Sequence, residues 1–310
     1  MKFWLTTLLG LIIINANAQY ESTLKQPQKI AFYLQSGVEV LDFAGPMEVF
    51  AYAGFEVFTV SKTKEPIMSQ GILKIIPDYS IDEAPEADIL AFFGGNGFNT
   101  SQDIAVTNWV KDQKNTEYFF SVCTGAFILA ESEVLTDKSA TTFHDALDLL
   151  ESKYPEIKVL KNARFVDNGK VITTAGISAG IDGALHLVAK FKGFNAARKV
   201  AYYMEYDKWV PGEGLILSKD NPYIGLPESE DFDDYLGVYE FLDGSTLELK
   251  LDARENSLYA QVHDRDYPVF YIDKDQFQNI DGDDISFIRN KQGQIVSFTS
   301  KKDGEFKKLN

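Results

Sequence analysis

Continuous apolar runs alternate with helix-like segments from about residue 29 to residue 206. Runs with the length and composition of short strands occupy residues 29–34, 55–60, 87–95 and 117–122. Runs that contain few polar residues are typical of parallel strands buried on both faces. Apolar residues at helical spacing predict helices over 45–53, 101–113, 124–132, 143–153 and 178–191. This order of elements predicts an α/β fold in which helices cover both faces of a parallel sheet.

Local signals refine this picture at three places. Pro46 suits the first turn of the first predicted helix, and Ser101 suits the N-cap of the second. Residues 163–175 have a different pattern, because two β-rich runs flank an Asp-Asn-Gly sequence at 167–169. That arrangement predicts a hairpin.

The character of the chain changes near Trp209. Residues 209–234 are rich in proline, glycine and acidic side chains, which is typical of a linker. Beyond them polar and apolar residues alternate between short turn sequences, and this pattern predicts antiparallel strands. We therefore predict an α/β domain at 27–208, an acidic linker at 209–234 and a small antiparallel β domain at 235–310.

The N-terminal residues 1–18 have the pattern of a secretory signal peptide. Lys2 precedes an apolar run from Phe3 to Ile14, and small residues follow at 16–18, which predicts cleavage before Gln19. The run is shorter than the roughly 20 apolar residues of a membrane-spanning helix. We expect a periplasmic or extracellular protein with no membrane contact after cleavage.

The charge of the chain excludes some classes of partner. There are 46 Asp and Glu residues against 30 Lys and Arg, which gives a formal net charge of −16. A field of this sign repels nucleic acid and anionic membrane surfaces. Three scattered histidines and one cysteine predict no metal site, and no cofactor is expected. The expected partner is a small-molecule substrate.

The one cysteine, Cys123, lies between an apolar run and a helix-like segment that begins with small residues. A nucleophile at such a strand-to-helix turn stands at the carboxyl end of a parallel sheet, where open α/β folds bind ligands. The helix N-terminus would favour the thiolate, so we expect Cys123 to be ionised at neutral pH and exposed. The alternative is an inert buried cysteine.

Two further strand ends carry candidate chemistry. Asp42 is predicted in a loop between a strand and the helix at 45–53, where it could exchange a proton with a substrate or only cap the helix. Gly94 and Gly95 end the strand-like run at 87–95. They could form a plain turn, or they could let backbone amides approach a substrate closely.

Together these segments resemble the ThiJ/PfpI superfamily of class I glutamine amidotransferase-like proteins, and within it isonitrile hydratases and the ligand domains of AraC-type regulators. The resembling segments are VLDFAGPMEVF, FFGGNG, SVCTGAFILA, SATTFH, NGKVITTAGISAGIDGALHL and MEY. The resemblance covers about 29–206 and implies a flavodoxin-like sheet sandwiched by helices with a nucleophile-elbow cysteine. It also implies that the protein forms a homodimer. Residues 235–310 resemble a small β-barrel domain of unknown function found in secreted bacterial hydrolases.

The resemblance to isonitrile hydratases implies a mechanism. Cys123 would attack an isonitrile to give a thioimidate, while Asp42 would protonate the substrate and then activate water. The hydroxyl of Thr124 would hold the Asp42 carboxylate, and amides near Gly95 and Thr124 would face developing negative charge. An N-substituted formamide would leave, so the enzyme would be a hydro-lyase.

Other residues and other functions also follow from the resemblance. Gly94, Ile177 and His144 would line the pocket, although the TTFH sequence here displaces His144 by one residue from the TTHW of isonitrile hydratases. Threonine after the cysteine, where many relatives have histidine, is atypical of a Cys-His peptidase. Three alternatives remain: an amidotransferase-like hydrolase, an exported ligand-binding protein without catalysis, and a redox sensor that uses Cys123.

Overall fold

The computed structural model describes residues 29–252 and 256–309, so the predicted signal peptide at 1–18 lies outside the described residues. The α/β part contains the strands β1 (Lys29–Tyr33), β2 (Glu56–Ser61), β3 (Ile67–Ser69), β4 (Leu73–Ile75), β5 (Tyr79–Ser80), β6 (Ile89–Phe92), β7 (Tyr118–Val122), β8 (Ser139–Ala140), β9 (Lys158–Val159), β10 (Phe165–Asp167), β11 (Val171–Thr174) and β12 (Leu215–Ile216). Its α-helices are α1 (Val40–Tyr52), α2 (Gly97–Ser101), α3 (Ile104–Asp112), α4 (Ala126–Glu131), α5 (Leu147–Lys153), α6 (Ala179–Lys192) and α7 (Phe194–Tyr203).

Eight of these strands form one sheet in the order β12-β10-β11-β7-β6-β1-β2-β5. Neighbouring strands are parallel except for β10 and β11, which form the predicted hairpin. Every residue of β6 is buried, as expected for a central strand covered on both sides. The predicted α/β fold is confirmed.

Helices cover the two faces of the sheet with separate hydrophobic cores. Side chains of α1, α6 and α7 pack on one face, together with Ile30 and Phe32 of β1. Side chains of α3, α4 and α5 pack on the other, together with Ala31 and Tyr33. Alternate residues of one strand therefore pack into opposite cores, which explains why the strands are apolar throughout.

Two predicted helix starts are wrong. Helix α1 begins at Val40, so Pro46 lies inside it and Asp42 lies in its first turn, not in a preceding loop. Apolar and polar residues alternate before Gly45, and this pattern fits the end of a strand as well as the first turn of a helix. Only tertiary packing distinguishes the two structures. The helix predicted at 101–113 is two helices, and the N-cap of α3 is Asp103, whose carboxylate accepts the Ala105 N–H at 3.1 Å.

The first part of the segment predicted as a linker, 209–234, packs against the domain that precedes it, and its strand β12 extends the sheet by pairing with β10. At its end, a 3-10 helix at Ser229–Tyr235 packs against the C-terminal strands. The charged Lys190 of α6 anchors the first part, because its Nζ lies 2.9 Å from the carboxylates of both Asp167 and Asp220. Composition predicted a linker, but the Lys190–Asp220 ion pair and the pairing of β12 with β10 hold this segment on the domain; the domain boundaries remain predictions.

The C-terminal strands close into a barrel in which all neighbours are antiparallel. They are β13 (Gly237–Glu240), β14 (Thr246–Asp252), β15 (Ser257–Val262), β16 (Arg265–Asp273), β17 (Gln276–Gln278), β18 (Asp284–Arg289), β19 (Ile295–Ser300) and β20 (Gly304–Lys308). The predicted antiparallel β domain is confirmed, and closure pairs both edges of each of these eight described strands.

The barrel packs on α7 through Arg198, which is 3% exposed. Its Nη1 donates to the Val269 carbonyl at 3.2 Å, and its guanidinium lies 5.1 Å from the centre of the Phe270 ring. Cation–π contact and a backbone acceptor together compensate burial of the charge. No helix within residues 29–252 and 256–309 is long and apolar enough to cross a membrane.

Candidate active site

Cys123 lies at a sharp turn between β7 and α4. Its φ is +58°, in the left-handed region, and a 3-10 turn at Cys123–Gly125 leads into the helix. The turn is held by the Cys123 N–H, which donates to the Ala175 carbonyl at 3.0 Å, and by the Thr142 hydroxyl, which donates to the Cys123 carbonyl at 2.7 Å. Strained backbone of this kind is concentrated at functional sites.

Asp42 reaches the same place from the first turn of α1. The residue has no exposed surface, and its two carboxylate oxygens accept separate backbone N–H groups at 2.9 Å, from Gly94 and from Ile177. It also hydrogen-bonds the Cys123 thiol. The structure thus brings together Cys123, Asp42, Gly94 and Ile177, which the sequence had suggested from four separate segments.

Ile177 contributes its backbone amide at a conformational cost. Its φ is +57°, a region that a β-branched side chain rarely adopts and that costs on the order of 1–3 kcal/mol. In this conformation its N–H donates to the Asp42 carboxylate. A strained amide that fixes a buried acid indicates that the position of the carboxylate matters.

The electrostatics of the pair differ from the sequence-based expectation. Burial, with the Asp42 charge as a second cause, raises the pKa of the Cys123 thiol to about 12, although the Thr124 and Gly95 N–H groups lower it. Burial raises the pKa of Asp42 to about 6. The prediction of an exposed, ionised thiol is wrong: the residue is 5% exposed, and desolvation outweighs the end of a short helix.

The amides predicted near Gly95 and Thr124 do face the sulfur, because both N–H groups hydrogen-bond it. The Thr124 side chain behaves differently from the prediction. Its buried hydroxyl oxygen has no hydrogen-bond partner, whereas two backbone amides hold Asp42. Thr124 Oγ1 therefore does not hold the Asp42 carboxylate.

Gly94 has no room for a side chain. A Cβ at this position would lie 2.5 Å from the Cys123 sulfur and 2.7 Å from Asp42 Oδ2. We expect Gly94→Ala to push the thiol and the carboxylate apart and to lower activity by about 100-fold, as measured by kcat/KM. The control is Gly180→Ala, whose methyl would crowd Val122 at 2.9 Å but touch neither group. Equal activities of the two variants would contradict this role for Gly94.

His144 does not face the thiol. Its side chain is 70% exposed, its Nδ1 lies 2.9 Å from Asp145, and its ring stacks on Phe143 at 4.2 Å. The neighbour from this segment is Phe143, because a Cβ on Gly176 would lie 2.5 Å from the Phe143 ring and 3.5 Å from the sulfur. His144 therefore lies outside the site formed by Cys123 and Asp42.

Gln35 is a site residue that the sequence reading missed. Its Nε2 donates to the carbonyls of Phe93 and Gly94 at 2.8 and 3.0 Å and so fixes the glycine loop. The loop is also tight at Gly95, where φ is +79° and a Cβ would lie 2.2 Å from the Gly37 carbonyl. A polar residue two positions after a buried strand, as Gln35 is after β1, was the available signal.

His186 belongs to a separate buried network. Its Nε2 lies 2.9 Å from Asp167, and its Nδ1 lies 3.3 Å from the Tyr223 hydroxyl. It is a core histidine, since the residue is fully buried and both ring nitrogens have partners. In the part of the chain that the structure describes, no three His, Cys, Asp or Glu side chains form a group that could hold a metal ion.

Comparison with known proteins identifies the family of this domain. Residues 28–190 match the DJ-1/PfpI family. The chain belongs to this family. The matched DJ-1/PfpI region contains Cys123, Asp42, Gly94 and Ile177, so the whole thiol–carboxylate site lies within it.

Relatives of this DJ-1/PfpI domain differ in function. An isonitrile hydratase of Pseudomonas putida is 32% identical over 184 residues, which are 57% of this chain and 78% of that protein. The HTH-type transcriptional regulator CdhR of Pseudomonas aeruginosa is 25% identical over 56% of this chain and 54% of its own length, so the chain spans about half of that relative. A solved THiJ/PfpI family protein from Pseudomonas syringae is 27% identical with a TM-score of 0.55, covering 60% of this chain and 79% of that one.

Proposed function

We propose that this protein is an enzyme that hydrates an isonitrile to an N-substituted formamide, with Cys123 as nucleophile and Asp42 as proton carrier. The observation that carries the proposal is the buried thiol–carboxylate pair. With pKa values of about 6 and about 12, the two groups share one proton throughout the neutral range. Similarity to the isonitrile hydratase of Pseudomonas putida supports the substrate class.

An isonitrile, R–N≡C, needs both a proton and a nucleophile at its terminal carbon. In the first step the thiol proton passes through Asp42 to that carbon, and the sulfur left as thiolate forms the C–S bond. The product is the thioimidate R–N=CH–S–Cys123. The thiol–carboxylate pair provides both, because transfer of the thiol proton to the carbon also generates the thiolate that attacks the same carbon. No thiolate has to exist before the substrate binds.

Hydrolysis returns the proton. Asp42, again a carboxylate, takes a proton from water as the hydroxide adds to the thioimidate carbon, and it passes that proton to the imine nitrogen. The tetrahedral R–NH–CH(OH)–S–Cys123 then loses its C–S bond to give R–NH–CHO, and the hydroxyl proton returns to the sulfur. The N–H groups of Gly95 and Thr124, which already bond the sulfur, stabilise its negative charge as it leaves.

The shape of the site also supports an isonitrile. The sulfur belongs to a residue that is only 5% exposed, which favours a slim substrate. The terminal N≡C group is linear and slim, whereas an amide carbonyl carries two substituents. An amidase would also need an acid for its leaving amine, and His144, the nearest histidine in sequence, faces solvent.

The pair predicts a distinctive pH dependence. Below a pH of about 6 the Asp42 carboxyl is protonated and cannot accept the thiol proton, so kcat/KM should fall about tenfold per pH unit. Above that pH it should be level through pH 9. The measurement is formamide production from cyclohexyl isonitrile, followed by NMR in buffers from pH 4.5 to 9.5.

The same profile distinguishes other mechanisms. Activity that rises through pH 8–9, where an ordinary thiol ionises near 8.5, would refute the shared-proton pair. A parallel panel of α-oxoaldehydes and small amides tests the substrate class, and turnover of these but not of isonitriles would refute isonitrile hydration. We also propose, from the signal-like N-terminus, that the reaction takes place in the periplasm or outside the cell.

A further inference from the structure

The C-terminal barrel is filled at one end. The 3-10 helix Ser229–Tyr235 covers this end with Phe232 and Tyr235, which are 2% and 3% exposed. The ring of Tyr235 lies 5.0 Å from that of Phe277 and 4.8 Å from that of Phe287. Aromatic side chains therefore occupy the barrel interior at this end.

The opposite end of the barrel is hollow. A cavity of about 280 Å³ lies there, inside the ends of β14–β16 and β18–β20. The small side chain of Ala260 on β15 forms part of its wall. Ala260 pairs with Leu249 on β14 and with Tyr267 on β16, and both of these residues also line the cavity. The interior of an eight-stranded barrel is either filled by side chains or wide enough to hold one small ligand. This end of the barrel has room for a small ligand.

The rim of the cavity is polar and acidic. Asn279, Asp281, Ser300 and Asp303 lie at its mouth. Asp303 accepts the Ser300 hydroxyl at 3.2 Å, and Asp281 has only a distant, exposed contact with Lys302 at 3.7 Å. Within a chain of net charge −16, this rim disfavours an anionic head group and suits a hydroxyl or an ammonium group.

We propose that the barrel is a second ligand site, which binds a small apolar molecule with a neutral or cationic head group. A cavity of about 150 Å³ lined by Leu, Ile and Phe holds benzene, so the space here suits a substituted ring or a chain of about eight carbons. The tail occupies the aliphatic wall and the head group meets the acidic rim. This site is independent of the chemistry proposed at Cys123.

A competition experiment tests the site in the full chain. The neutral dye N-phenyl-1-naphthylamine is titrated by fluorescence and then displaced with octylamine, 1-octanol or octanoate. We expect saturable dye binding, and displacement by octylamine and 1-octanol at concentrations at least about tenfold lower than by octanoate. Absence of saturable binding would overturn the site, and octanoate that competes as well as octylamine would overturn the head-group assignment.

Variants place the dye within the barrel. Ala260→Phe fills the cavity and Val262→Trp blocks it near its mouth, and each should weaken dye binding by at least about tenfold. Gln261→Ala, on the same strand but bonded to Lys250, is the matched control and should bind as the wild type does. Cys123→Ser should also bind normally. If Ala260→Phe does not fold, Val262→Trp decides, and undiminished binding in a folded variant would overturn the proposal.

Discussion

Replacing Cys123 with serine is expected to lower kcat/KM for isonitrile hydration by at least about 10⁴-fold. The exchange preserves the size of the side chain and its place on the turn, but a hydroxyl is a far weaker nucleophile than sulfur. Burial next to the Asp42 carboxylate would raise the proton affinity of an alkoxide further. The measurement is formamide formation under single-turnover conditions, together with far-UV circular dichroism to establish folding.

A matched control lies two residues away. The Ser121 hydroxyl on β7 is buried without a hydrogen-bond partner, so Ser121→Ala changes the same strand without touching the pair. It should retain the activity of the wild type. Full activity in Cys123→Ser would show that Cys123 is not the nucleophile. Tight isonitrile binding without turnover by the wild type would instead favour a ligand-binding protein without catalysis.

The sheet was predictable because its strands are buried on both faces. Continuous apolar runs such as 87–95 leave few alternatives to a parallel strand. The start of α1 was not predictable, since alternation before Gly45 fits two structures. Strand β12 was also missed, because its two residues lie among acids and prolines, and its pairing with β10 depends on contacts distant in sequence.

The members of the site could be predicted, but their protonation could not. Motifs at three predicted strand ends pointed to Cys123, Asp42 and Gly94, since parallel strands bring their carboxyl ends to one edge, and the family resemblance added Ile177. Whether a thiol at a helix N-terminus is ionised depends on a balance between helix charge and desolvation. That balance requires the actual burial, which Phe143 and the neighbouring acid help to create.

A thiol that stays protonated at neutral pH is a poor redox sensor. Oxidation of cysteine by peroxide proceeds through an exposed thiolate. Cys123 is 5% exposed, and its thiol pKa is raised to about 12, so neither condition holds in this structure. These properties favour chemistry in which the substrate itself accepts the thiol proton.

Replacing Asp42 with asparagine is expected to lower kcat by about 10³-fold. It should also remove the acid limb of the pH–rate profile, which is the fall of kcat/KM below about pH 6. Asparagine keeps the shape of the side chain but cannot take the thiol proton and pass it to the substrate carbon. The control is Asp145→Asn, which changes an exposed acid beside His144 and should keep both the rate and the limb. A limb that persists in Asp42→Asn would assign the titration to another group.

The same variant has an expected effect on stability that does not depend on any substrate. In the folded protein the pKa of Asp42 is about 6, above its unfolded value near 3.9, so its protonation stabilises the fold at low pH. This contribution is complete below the unfolded pKa and is lost as pH rises through 6. Between pH 5 and pH 7.5 the wild type should lose about 1 kcal/mol of unfolding free energy relative to Asp42→Asn. Urea denaturation at the two pH values measures it, and parallel losses in both proteins would show that Asp42 titrates as an ordinary carboxyl.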